Sequence, residues 1–170
     1  MSALTVLYMI LTFPVAFILH DAEEVAVQHR WMLNRRKSLI KTFPKMKRMV
    51  QHLSGLTTKA FAIAATEELT VILVATAYVL VGGVYSMQIW SALFMAFSTH
   101  LVVHVFQAIV MRGYVPGLVS TLLLIPYAFI AMQSIWNAMS GTELAAWGLL
   151  GIIIMAVSLR FAHWLGMKMK

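Results

Sequence analysis

Long apolar runs separated by short polar breaks make up most of the chain. Five runs reach the roughly 20 residues that a helix needs to cross a bilayer core: about 3–26, 57–81, 87–111, 115–136 and 142–165. The breaks carry turn chemistry at Gly82-Gly83, at Arg112-Gly113 and from Asn137 to Gly141. Ser140-Gly-Thr-Glu143 has the spacing of a capping box that opens the fifth run. Pro14, Pro116 and Pro126 do not argue against helices, because lipid-embedded helices tolerate proline. Residues 34–55 follow a different pattern. Leu39, Phe43, Met46, Val50 and Leu53 recur on one helical face, and Lys41, Lys45, Lys47 and Arg48 occupy the rest. Thr42 followed by Phe43-Pro44 reads as an N-cap and first turn, and Gly55 suits the far end. The pattern predicts a basic amphipathic helix over about 42–54, lying on the membrane surface. The expected fold is all-α. It is an integral membrane bundle of five transmembrane helices plus one interfacial amphipathic helix, in a single domain over residues 1–170.

Composition agrees with that pattern and adds orientation. Apolar residues make up 61% of the chain and charged ones 11%, whereas soluble domains hold about a quarter charged. Of the 13 Lys and Arg, nine lie between Arg30 and Lys59; the others are Arg112, Arg160, Lys168 and Lys170. With five alternating spans, all fall on one side. The opposite loops, about 83–86 and 137–142, hold no Lys or Arg. The positive-inside rule then puts the N-terminus outside and the C-terminus in the cytoplasm. Met1 to Thr5 lacks a basic region and no small-residue cleavage pattern follows, which disfavours a signal peptide. The basic segment reads first as a topology anchor, with attraction to the anionic cytoplasmic leaflet and its lipids as the functional alternative. Charges held at a bilayer surface do not suit nucleic acid. With no cysteine, there is no disulfide and no thiolate ligand or nucleophile.

Only six acids occur, and five form two runs, His20-Asp-Ala-Glu-Glu24 and Thr66-Glu-Glu68. Ionisable groups within a membrane are costly and are functional candidates by default. With basic residues marking the cytoplasmic boundary and about 1.5 Å of rise per residue, Glu24 lies about 9 Å deep and His20 about 15 Å. On the same scale Glu67 and Glu68 lie about 12–14 Å deep, His104 about 12 Å, His100 about 18 Å and His163 about 7 Å. Three helices therefore bring unusual residues to one layer. His20 and Glu24 are spaced i, i+4, as are His100 and His104, so each pair shares a helix face. Thr66, Glu67 and Thr70 form a polar strip that favours Glu67 over Glu68 as the inward residue.

Bare charges in a low-dielectric layer are expensive, and a divalent cation neutralises them directly. Mixed His and carboxylate ligation suits one or two ions of zinc, iron or manganese. Helix bundles that turn Glu and His inward are an established way to hold two metals. The expected ligands are His20, Glu24, Glu67, Glu68, His100 and His104, with Glu23 as general base or bridging group. The plainer alternative is that His–Glu pairs tie the helices together. His29 and His52 are expected to be solvated, His163 to sit in the aromatic belt, and Asp21 to face water or the edge of the site.

His20-Asp-Ala-Glu23-Glu24, followed in order by Glu67-Glu68, His100-Leu-Val-Val-His104 and Tyr114-Val-Pro-Gly117 with Thr121 and Pro126, resembles the HXXEE family. This is a family of small, multi-spanning, mostly bacterial membrane proteins that is functionally uncharacterised. The resemblance covers most of the chain apart from the basic loop. It implies a membrane protein, expected in a bacterial inner membrane, with an active or metal site at these positions, and it supplies no substrate.

The leading expectation is a metal-dependent membrane enzyme, hydrolytic on an amphiphilic lipid or prenyl substrate, in which the cation lowers the pKa of the attacking water. A di-iron oxidase or hydroxylase uses the same ligand types, but nothing in the sequence suggests an electron-transfer partner. A metal-ion or proton transporter or sensor is a third reading. It needs polar groups at all depths, and the outer halves of the helices offer mainly Thr12, Thr76 and Gln88. Haem held by histidines leaves the glutamates unexplained.

Overall fold

Five of the helices are long and apolar enough to cross a membrane. The architecture comes from a computed structural model that describes residues 3–168. Met1, Ser2, Met169 and Lys170 lie outside the described residues, and with them Lys170's place in the charge asymmetry. The chain forms α1 (Ala3–Thr42), a 3₁₀ turn (Pro44–Met46), α2 (Lys47–Ser54), α3 (Thr58–Leu80), α4 (Ser86–Met111), α5 (Leu118–Ala138) and α6 (Gly141–Lys168). No strand occurs among the described residues.

The largest departure from the sequence pattern is α1. It continues to Thr42 instead of ending near residue 26. Its 40 residues make a rod about 60 Å long, twice the thickness of a hydrocarbon core. Nothing between Val27 and Thr42 breaks a helix, since that stretch holds neither Gly nor Pro. Thr42 is consequently the last residue of α1 and not an N-cap. The amphipathic helix α2 is present but shorter than expected. Its apolar face is covered by protein: Val50 and Leu53 pack on Met32 and Leu39 of the α1 extension, with Trp31 and Met111 alongside. The face expected to lie on lipid is thus turned largely onto α1, while Met46 and Met49 remain exposed. Gly55 closes α2 as expected.

The capping box at α6 forms in both directions. The Ser140 amide donates to Glu143 Oε2 at 2.9 Å, and the Glu143 amide donates back to Ser140 Oγ at 3.3 Å. Helix α6 lies outside α3 and α4 and packs on both. Glycines permit the close approach. A Cβ on Gly151 would stand 2.1 Å from the Ala92 carbonyl oxygen, and one on Gly166 would stand 2.3 Å from that of Ala60. Small residues at such crossings are how membrane helices gain packing contact without a hydrophobic driving force.

The interior runs between α1 and α4. One face of α1 buries Phe13, Phe17, His20 and Glu24, and one face of α4 buries Trp90, Phe94, Phe97, Leu101 and His104. Both stripes follow helical periodicity, and both change from aromatic to ionisable toward the basic end of the bundle. Phe13 meets Trp90 and Phe94 edge to face, with ring centroids 5.5 and 5.1 Å apart. This aromatic cluster fills the interior on one side of the histidines and fixes the two helices that carry them.

Candidate metal centre

Four side chains from α1 and α4 converge: His20, Glu24, His100 and His104. One ligand atom from each lies within 4.8 Å of all the others. The i, i+4 spacing on each helix aims two groups the same way, and the aromatic packing brings the two faces together. His100 Nε2 and His104 Nε2 are 2.9 Å apart. The two Glu24 oxygens each stand 3.6 Å from one of these nitrogens. These carboxylate contacts are too long for hydrogen bonds. Ligands at about 2.1 Å from a tetrahedral ion sit about 3.4 Å apart, so the Glu24 contacts have the spacing of co-ligands, while the His100 and His104 nitrogens, hydrogen-bonded at 2.9 Å, would have to part slightly to share an ion.

The hydrogen bonding around His20 sets its free nitrogen. Ser120 Oγ lies 2.6 Å from Glu23 Oε2 and 3.1 Å from His20 Nδ1. Its single proton goes to the carboxylate, the short charge-assisted contact, in preference to the Gly117 carbonyl oxygen at 3.2 Å. Nδ1 of His20 must then carry hydrogen and donate to Ser120. That leaves Nε2 as a bare lone pair, buried and without a hydrogen-bond partner. A carboxylate–hydroxyl–imidazole chain of this kind orients metal-binding histidines. The donor set and this orphaned nitrogen fit a divalent ion held by His20, Glu24, His100 and His104.

Glu23 stands apart from the four. Its carboxylate accepts from the Tyr114 hydroxyl at 2.7 Å and from the Val119 and Ser120 amides at 3.3 and 2.7 Å. It therefore binds the open N-terminus of α5, where unpaired amides and the helix dipole favour an anion. Burial, and then the bond to Glu23, push the Tyr114 hydroxyl up to about 12, so Tyr114 remains a donor. Gly117 caps the start of α5 with φ +81°, and a Cβ there would lie 2.9 Å from the Cε1 atoms of both His20 and His104. Glycine thus serves twice: it turns the backbone into the left-handed region and lets it lie against two imidazoles.

The two glutamates of α3 diverge. Glu67, favoured from the pattern as the inward residue, instead accepts from Ser158 of α6 at 3.0 Å. Its neighbours Thr66 and Thr70 bond to carbonyls of their own helix, at 2.8 and 2.7 Å, on an exposed face. Glu68 turns into a cavity that it shares with Asp21, Glu24 and His100. Neither glutamate belongs to the four-residue cluster. Asp21 is buried, not solvated. His29 is also not free in solvent, since its Nδ1 lies 2.7 Å from the Leu56 carbonyl oxygen. His52 is exposed and pairs with His163 at 3.4 Å. The pattern did not reveal Ser120, whose role depends on α5 docking against a helix a hundred positions earlier.

Fold and site define a helical membrane bundle with a buried His/Glu cluster spaced for metal. The sequence profile of the HXXEE family, described as a protein of unknown function with HXXEE motif, matches residues 11–131, and the chain belongs to that family. No curated protein and no solved structure matches it.

Proposed function

We propose that the chain is a metal-dependent membrane enzyme, hydrolytic on an amphiphilic lipid or prenyl substrate. The observation that carries this reading is the buried His20–Glu24–His100–His104 cluster, with the lone pair of His20 Nε2 left unpartnered. His20, Glu24, His100 and His104 would hold a divalent ion, which would supply Lewis-acid polarisation of a carbonyl or phosphoryl oxygen and lower the pKa of water. The chain's own groups hold the geometry. Ser120 and Glu23 fix the His20 tautomer, and Glu24 spans His100 and His104. The cavity that reaches Glu24 and His100 is mostly apolar, which suits a hydrocarbon substrate. The closed aromatic cluster at Phe13, Trp90 and Phe94 supports an enzyme over a transporter, because among the described residues no buried ionisable group lies beyond it.

In this reading the basic end faces the cytoplasm of a bacterial inner membrane, and the centre lies in the inner leaflet. The test is turnover of ester- and phosphoester-bearing amphiphiles by the reconstituted protein. Hydrolysis lost on chelation, restored by zinc, manganese or iron, and absent in His104→Ala is the expected result. Hydrolysis that survives both treatments contradicts the reading.

A further inference from the structure

A cavity of about 120 Å³ adjoins the metal centre, walled by α1, α3, α4 and α6. Its lining is mainly apolar, with Phe17, Phe61, Ile72, Leu93, Met155 and Leu159 among its walls. Four ionisable groups border the cavity beside the centre: Asp21, Glu24, Glu68 and His100. Glu24 and His100 are engaged with each other. Asp21 is only 9% exposed and lines the cavity without a hydrogen bond or ion pair to any described residue. Glu68 has none either, and the ion pairs at this site, those of His100 and His104, go to Glu24. The cavity's other polar side chains are Ser158, bonded to Glu67, and His163, paired with His52.

A buried carboxylate without a hydrogen-bond or ion-pair partner is stabilised by a proton or by a positive charge, and a cationic ligand supplies the second. A second metal ion is one source, but it needs several converging ligands, and neither acid joins a group of three or more ligand atoms close enough to share an ion among the described residues. Neither acid lies within the four-residue cluster. An ammonium fits both features of the cavity. It can donate charge-assisted N–H···O contacts to two carboxylates at once, and Asp21 and Glu68 border the same cavity. Its attached chain then lies against the apolar walls.

We propose that this cavity binds an amphiphile with an amine head, the ammonium seated between Asp21 and Glu68 and the hydrocarbon chain along the α3–α6 wall. The inference names the substrate class for the proposed enzyme and rests on that reading for its catalytic meaning. It places the amine beside the Glu24–His100 edge of the centre, so the scissile bond of a substrate lies within a few bonds of the nitrogen.

The test titrates dodecylamine and 1-dodecanol into the full chain in nanodiscs of neutral lipid, with metal content measured on the same samples. The wild type is expected to bind dodecylamine saturably. Asp21→Asn and Glu68→Gln each weaken it about tenfold, as loss of one charge-assisted contact implies. Dodecanol binding is expected to be weaker and unchanged by either substitution. Both variants remove a repulsion between acids, so they are expected to fold, and unchanged circular dichroism checks this. Equal affinity for dodecylamine in wild type and both variants overturns the proposal, as does dodecanol binding as tight as the amine's. A wild-type content of two ions per chain that falls to one in Asp21→Asn assigns the pair to a second metal and also overturns it. Amine binding by a chain that holds no metal contradicts the enzyme reading and leaves this one standing, and the converse result does the reverse.

Discussion

Ser120 shows how much one hydroxyl decides. It receives a hydrogen bond from His20 and gives its own to Glu23, so the imidazole presents a bare Nε2 to the cluster. Ser120→Ala should weaken metal binding by about 10–100-fold, the usual cost of losing a group that orients a ligand. Ser120→Thr keeps the hydroxyl and should restore most of it. Competition against a chelator of known affinity reads both. Gly117→Ala should fail differently, because its Cβ meets two imidazoles and its φ is left-handed. A lowered unfolding midpoint together with lost metal is the expected outcome. At this scale the four cluster residues were legible, since i, i+4 spacing on two helices states which groups share a face. The choice between Glu67 and Glu68 was not. Thr66 and Thr70 satisfy themselves on their own backbone, so a polar strip there marks an exposed face and not an inward one. The engagement of Glu23 is not legible in the sequence, because its partners, the Tyr114 and Ser120 hydroxyls and the first amides of α5, lie about a hundred positions away.

Among the elements, α6 depends on two glycine crossings and α1 on a docked partner outside the span. Gly151→Val should push α6 away from the Ala92 carbonyl and cost about 1–3 kcal/mol, read as a lower unfolding midpoint in detergent. Leu39→Ala removes the apolar residue that α2 covers. The cost of truncating a buried leucine, about 2–5 kcal/mol, exceeds what so short a helix can sustain. Protease cleavage within Lys47–Ser54 should quicken while the membrane bundle stays intact. The number and approximate limits of the five spans were readable from hydropathy. The end of α1 was not, because a helix leaving an apolar layer need not stop where its residues become polar. The pattern sets Leu39 and Val50 on one apolar stripe, with Leu39 just ahead of the expected helix. In the structure they face each other from α1 and α2.

Across the whole molecule, the charge asymmetry and the site's position belong to one account. Basic residues crowd the end of the bundle nearest the His/Glu cluster, and the far interior is aromatic. The absence of cysteine gives a clean background for labelling. Val84→Cys, in the exposed turn before α4, should react with a membrane-impermeant maleimide in intact cells, and Lys45→Cys only after permeabilisation. The reverse pattern contradicts the proposed orientation. The central claim is that four side chains from two helices form one metal centre. Elemental analysis of protein purified without chelator tests it most directly. At least one zinc, iron or manganese ion per wild-type chain, lost in His104→Ala while the helical circular dichroism persists, is the predicted result. A folded wild type without stoichiometric metal would contradict it.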